Sequence, residues 1–119
     1  ARYISHTLPY AAGSLMSTVD DLNTWQHALT NNKLLKKETL QKAHTNYTLN
    51  NGEKINYGYG WNIKTINTTV SYEHGGSIFG YKSMAVYIPS KDIYVVILTN
   101  CDCISPTKMT REVTSIILD

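Results

Sequence analysis

The apolar spacing divides the chain into two helices, a run of strands and a closing helix. The first ten residues have no clear period, and Tyr10-Ala11-Ala12-Gly13 reads as a turn. Leu22, Trp25, Ala28 and Leu29 then recur at helical spacing, which predicts a helix over about 20–30. Two starts are open to it, Ser17 with Asp20 and Thr18 with Asp21, each a hydroxyl followed three residues on by an acid. Asn31-Asn32 ends it. A second helix is predicted over about 37–46, with Leu40 and Ala43 turned inward.

Past the Asn50-Asn51-Gly52 turn the period changes to two. Tyr57, Tyr59, Trp61 and Ile63 fall on one face, with Gly58, Gly60, Asn62 and Lys64 on the other, and this predicts a strand. Further strands are predicted over about 69–75 and about 80–88, the latter alternating Lys82, Met84, Val86 and Ile88 against Ser83, Ala85 and Tyr87. Pro89-Ser90-Lys91-Asp92 is a tight turn. Ile93 to Thr99 is apolar on both faces, which predicts a central strand covered on both sides. Ser105 as N-cap and Pro106 as first helical residue open a helix over about 106–118. Its stripe of Met109, Val113, Ile116 and Ile117 is expected to pack inward. The fold class is therefore α+β, an antiparallel sheet flanked by helices.

Composition narrows the function classes. A chain of 119 residues makes one domain. It exposes roughly 19,000 Å² unfolded and roughly 6,500 Å² folded. With 42% hydrophobic and only 17% charged residues it has core material and is not a disordered chain. The net charge of +2 is too small and too evenly spread for a nucleic-acid or anionic-membrane partner. No apolar run approaches the length that spans a bilayer, and no basic-then-apolar opening marks a signal peptide. The chain opens at Ala1 rather than Met, as a trimmed or processed product does. Cys101 and Cys103 are too few for a disulfide framework or a zinc cage. They read as two free thiols, with a disulfide across so short a span as the strained alternative. His6, His27, His44 and His74 have no metal spacing, and neither a metal nor a cofactor is called for.

The densest chemistry lies in Tyr72-Glu73-His74-Gly75-Gly76-Ser77-Ile78-Phe79-Gly80-Tyr81. Glycines inside a strand pattern mark a bulge or a close backbone approach to a ligand. A neighbouring histidine can donate a hydrogen bond or a proton, and bare backbone N–H groups can stabilise an oxyanion. Taken alone, His74-Gly75-Gly76 reads more readily as a structural turn. The wider chain adds Ala12-Gly13-Ser14-Leu15-Met16-Ser17-Thr18, Asp21-Leu22 and Trp25, then Tyr57-Gly58-Tyr59-Gly60-Trp61. It continues with Tyr87-Ile88-Pro89, Val95-Val96-Ile97-Leu98-Thr99-Asn100 and Ser105-Pro106. In order and spacing these motifs resemble the serine β-lactamase and penicillin-binding protein family, in its class C-like branch. The resemblance covers nearly all of residues 9–119. It aligns His74-Gly75-Gly76 with the family's third active-site motif, usually Lys-Thr-Gly.

The resemblance implies a C-terminal part of a β-lactamase/transpeptidase-like domain. The family's Ser-x-x-Lys nucleophile and its Tyr-x-Asn or Tyr-x-Ser motif both precede the region present here. Ser105-Pro106-Thr107-Lys108 fits Ser-x-x-Lys literally, but it follows the third motif and a helix cap explains it. Tyr3-Ile4-Ser5 fits the second motif but sits too close to the Ala-Gly turn. The implied parent chemistry is attack by a missing serine on a carbonyl, with a lysine or tyrosine base, through an acyl-enzyme. His74 would position substrate and assist proton transfer, and Gly75 and Gly76 would line the substrate. The backbone N–H of Ser77 would supply one oxyanion donor. An imidazole, neutral for much of the time near pH 7, holds a substrate carboxylate less firmly than a lysine, and Gly75 lacks the threonine hydroxyl. An esterase or D-amino-acid peptidase fits these departures better than a β-lactamase.

His27 and His44 read as surface or partly buried residues, and the Tyr57, Tyr59 and Trp61 face reads as core more readily than as a cleft. Asn46-Tyr47-Thr48 and Asn67-Thr68-Thr69 match the glycosylation pattern, as an Asn/Thr-rich chain does by chance. The resemblance further implies a bacterial source and a periplasmic, cell-surface or secreted location. The partners it implies are the missing N-terminal half, a small acyl or peptide substrate of the parent, and a second copy bound along Ile93–Thr99. A second reading is a standalone binding or interaction module that keeps the fold without the chemistry.

Overall fold

Four strands pair in chain order, each antiparallel to the one before it. The computed structural model describes Ser5 and residues 7–119. After a short turn at Tyr10–Ala12 come α1 (Val19–Thr30) and α2 (Lys37–Ala43). The strands are β1 (Asn62–Ile66), β2 (Thr69–Ile78), β3 (Tyr81–Ile88) and β4 (Ile93–Thr99), and α3 (Pro106–Leu118) closes the fold. Among the described residues no helix is long and apolar enough to cross a membrane.

Of the two caps open to α1, the chain uses Thr18, whose hydroxyl accepts the Asp21 N–H at 3.1 Å. Gln26 and Leu29 are the buried residues of this helix, and Trp25 is 44% exposed rather than inside. Trp25 instead stacks on Trp61 with ring centroids 6.2 Å apart. Helix α2 ends at Ala43, short of the predicted 46, because the Ala43 carbonyl accepts the N–H of Tyr59. That contact also corrects the first predicted strand. Residues 57–61 form a turn and not a strand, despite their alternating pattern. The Gly58 backbone lies so close to α2 that a Cβ there would sit 2.0 Å from the Ala43 carbonyl oxygen. Gly60 takes φ +79°, a conformation that disfavours any side chain. The strand begins only at Asn62.

Two further expectations change. β4 lies at the sheet edge, although α1 and α3 touch its two faces. Its apolar character on both sides reflects those two helices, while among the described residues no strand pairs with its outer edge. The stripe that α3 buries is rotated about the helix axis from the one its apolar spacing predicts. Pro106, Thr110 and Thr114 are buried, whereas Met109, Val113, Ile116 and Ile117 are exposed. The two threonines can be buried because each hydroxyl donates to the carbonyl four residues back, at 2.7 Å. The Ser105 side chain makes no cap hydrogen bond.

The core lies between the sheet and α3. It is built from Ile66, Met84, Val86 and Ile88, with Ile93 and Leu118 packed against it. The β1–β2 hairpin clamps the far end of α3. Its turn residues Asn67 and Thr68 have φ +46° and +67°. The Asn67 amide donates to the Asp119 carboxylate at 2.8 Å, and the Ser115 hydroxyl bonds Asn67 at 2.9 Å. Asn67 of the second glycosylation match is thus a structural amide. Cys101 and Cys103 are joined to each other and are not free thiols. Between them Asp102 is pinned to the β2–β3 hairpin, its carboxylate accepting the Gly80 N–H at 2.9 Å and its carbonyl the Lys82 ammonium at 2.8 Å. The accessible surface is 8310 Å², against roughly 6,500 Å² for a compact chain of this mass. The radius of gyration is 15.2 Å, against about 13.5 Å.

Candidate active site

His74, Gly75, Gly76 and Ser77 occupy the second half of β2, and all four are exposed. Exposure follows from unequal strand lengths. β1 pairs with residues 69–73 of β2 and stops at the Asn62–Glu73 pair. On its other side β2 stays paired with β3 through Ile78. The 74–78 stretch therefore has one open edge, toward which alternate residues point their backbone N–H and C=O groups. No bulge interrupts the pairing of Gly75 with Met84 or of Gly76 with Ser83. Packing, rather than an unusual dihedral, requires glycine here. A Cβ on Gly75 would lie 3.2 Å from both Met84 Sδ and the Ser83 carbonyl oxygen, and one on Gly76 2.8 Å from Ser83 Oγ.

His74 Nε2 is hydrogen-bonded to the Tyr57 hydroxyl at 2.9 Å, with the rings edge to face. Tyr57 reaches it from the 57–61 turn, which continues past the point where β1 ends. Spacing does not reveal this pair, because 17 residues and two turns separate its members.

Glu73, one residue before His74, points to the opposite face of β2 and is 1% exposed. Its Oε1 is bonded by the Arg111 guanidinium of α3 and lies 3.7 Å from the Lys64 ammonium. Arg111 also donates to the Thr65 carbonyl at 2.8 Å, so one side chain ties α3 to two strands. Glu73 Oε2 and the hydroxyl of buried Ser71 have no hydrogen-bond partner among the described residues. Glu73 escapes a sequence reading because an acid in a strand ordinarily faces water.

On the His74 face an aromatic series links the helices to the sheet. Trp25 stacks on Trp61, His44 meets Trp61 edge to face at 5.4 Å, and His44 stacks on Tyr72 at 3.9 Å. Burial pushes the His44 imidazole down to about 4. Burial also raises the Tyr72 hydroxyl, and burial together with the Asp92 carboxylate beside it pushes Tyr87 up to about 12. A cleft of about 550 Å³ opens beside this series, between Tyr72, Tyr87 and α2, and His74 does not line it.

The literal Ser-x-x-Lys is not a dyad. No hydrogen bond joins Ser105 to Lys108, whose ammonium instead lies 3.7 Å from Glu112 at the surface. Tyr3 and Ile4 of the other near-match, like His6, lie outside the described residues. Among the described residues no three His, Cys, Asp or Glu side chains converge as a metal site.

Comparisons with known proteins agree with this layout. The beta-lactamase family model matches residues 1–110. The solved structure of an octameric penicillin-binding protein homologue from Pyrococcus abyssi superimposes with a TM-score of 0.80 at 29% identity over 91% of this chain. The chain spans 26% of that protein's length. No curated protein matches it.

Proposed function

Because the chain belongs to the beta-lactamase family, we propose that it is the C-terminal part of a class C-like serine hydrolase domain, carrying the His74-Gly75-Gly76 motif but not the nucleophile. The observation that carries this reading is His74, held by Tyr57 on the open half of β2. In the assembled domain a serine from the missing half attacks the substrate carbonyl while a lysine or tyrosine takes its proton. The carbonyl π pair moves onto oxygen, and the resulting oxyanion is met by the Ser77 N–H and a second backbone donor. Collapse expels the alcohol or amine, which takes the proton, and leaves an acyl-serine that water hydrolyses. His74 orients the substrate and assists the proton transfer. Alone, the chain is catalytically silent.

Small acyl esters or D-amino-acid peptides suit this site better than β-lactams. Gly75 offers no hydroxyl to a substrate carboxylate, and the 3.2 Å approach of Met84 and Ser83 leaves a threonine side chain little room. The excess exposed surface and the outward apolar face of α3 support a missing half of the domain. The open edge at Ile93–Thr99 supports self-association, and one solved structure that the chain resembles is described as octameric. The Cys101–Cys103 bond supports an oxidising compartment, periplasmic, cell-surface or secreted. Sequencing upstream of Ala1 tests the proposal. An in-frame Ser-x-x-Lys followed by Tyr-x-Asn or Tyr-x-Ser is expected. A start codon immediately before Ala1 would contradict it and favour a standalone binding module.

A further inference from the structure

We infer that Tyr57 is the positioning residue of this site, donating its phenol proton to His74 Nε2 so that His74 carries its own proton on Nδ1 and keeps that N–H free for a ligand on the exposed half of β2. The inference rests on the proposed role of His74 and adds a specific atom to it. Three observations carry it. The Tyr57 oxygen lies 2.9 Å from Nε2, inside hydrogen-bond range, with the ring centroids 6.0 Å apart and edge to face. A phenol is the better donor of the two groups and imidazole nitrogen the better acceptor, so the proton lies on the Tyr57 side of that bond. Nδ1 has no hydrogen-bond partner among the described residues, which leaves it for a ligand.

The anchor of Tyr57 is unusually firm for a turn. Its carbonyl accepts the Tyr47 N–H at 2.9 Å, and the next residue, Gly58, donates to the Trp61 carbonyl at 2.8 Å. Gly58 is buried against the end of α2, where the Ala43 carbonyl would meet any Cβ at 2.0 Å, and that same carbonyl accepts the Tyr59 N–H. The turn is thus fixed by backbone contacts on both sides of Tyr57. An exposed histidine with one free ring nitrogen otherwise exchanges between two tautomers, only one of which places a donor toward the substrate. Tyr57 removes that exchange before substrate arrives.

The test is nitrogen-15 NMR of the imidazole rings in this chain, at alkaline pH where an imidazole is neutral, with His74 assigned by His74→Gln. In the unsubstituted chain His74 is expected to show one protonated and one bare nitrogen, with the proton on Nδ1. In Tyr57→Phe, which keeps the ring and removes only the hydroxyl, the two resonances are expected to converge toward the averaged pair of a free imidazole. A mixed or Nε2-protonated His74 in the unsubstituted chain overturns the inference, and so does a Tyr57→Phe spectrum with His74 unchanged. The unsubstituted chain decides the matter even if the variant fails to fold. Packing alone would leave the tautomer unaltered, so the readout separates positioning from a structural role. An upstream reading frame without Ser-x-x-Lys would defeat the proposed reaction and leave this result standing.

Discussion

Helix α3 buries a largely polar stripe and leaves the apolar stripe beside it exposed. The face against the sheet carries Pro106, Thr110 and Thr114, and Arg111 beside it bonds the buried Glu73 carboxylate. The face toward solvent carries Met109, Val113, Ile116 and Ile117, with Ile116 74% exposed. In water the apolar face is the costly one to expose, by about 25 cal/mol per Å². The inner face shows that burial does not need apolar side chains when each hydroxyl bonds its own helix. The outer face shows that apolar periodicity marks here a surface left exposed to water, the kind of surface the proposed missing half of the domain would cover.

The largest way to break this contrast is at the inner seam. Arg111→Ala leaves Glu73 buried with only the half-exposed Lys64 nearby, and should cost about 3 kcal/mol of folding stability by urea denaturation. The paired change Glu73→Leu with Arg111→Leu should recover most of that loss. If Arg111→Ala costs nothing, the seam is not held by this ion pair.

The next largest effect depends on pH and lies on the opposite face of the sheet. Burial holds the His44 imidazole at about 4, below its ordinary 6.5. Between those values the unfolded chain binds the proton and the folded chain resists it. Stability is therefore full above pH 6.5 and falls as pH drops toward 4. His44→Phe, which keeps a ring against Tyr72 and Trp61, should flatten that part of the urea-midpoint profile. An unchanged slope would assign the acid sensitivity to other groups.

A smaller gain is expected at the hairpin that clamps α3. Thr68 is β-branched and sits at φ +67°, so Thr68→Gly should stabilise by about 1 kcal/mol in thermal melts. The smallest stability effect belongs to the outer face itself. Ile116→Lys should change the stability of the isolated chain by no more than about 0.5 kcal/mol, since that side chain is 74% exposed. A loss of several kcal/mol there would mean that the face is already covered within this chain.

These same contrasts explain how much of the molecule could be read in its sequence. α1, β3 and β4 have strong periods and clear stops, and they lie within a residue or so of their predicted limits. α3 is located correctly but rotated about its axis, because Thr110 and Thr114 look polar while their hydroxyls are satisfied locally. Residues 57–61 look like a strand because aromatics alternate with glycines there. The glycines answer instead to the Ala43 carbonyl and to a positive φ, neither of which leaves a periodic trace. In the site, His74-Gly75-Gly76 is legible as a motif on a strand. Its partner Tyr57 and its buried neighbour Glu73 are not, since both relations run through tertiary contact.

The central claim is that this chain holds half of a serine-hydrolase site and no nucleophile. Intact-mass analysis after exposure to a fluorophosphonate probe and to a penicillin, with peptide mapping, tests it most directly. The expected result is no adduct on any serine of the folded chain. A stoichiometric adduct on Ser105 or any other serine would contradict the account and make the chain an enzyme in its own right.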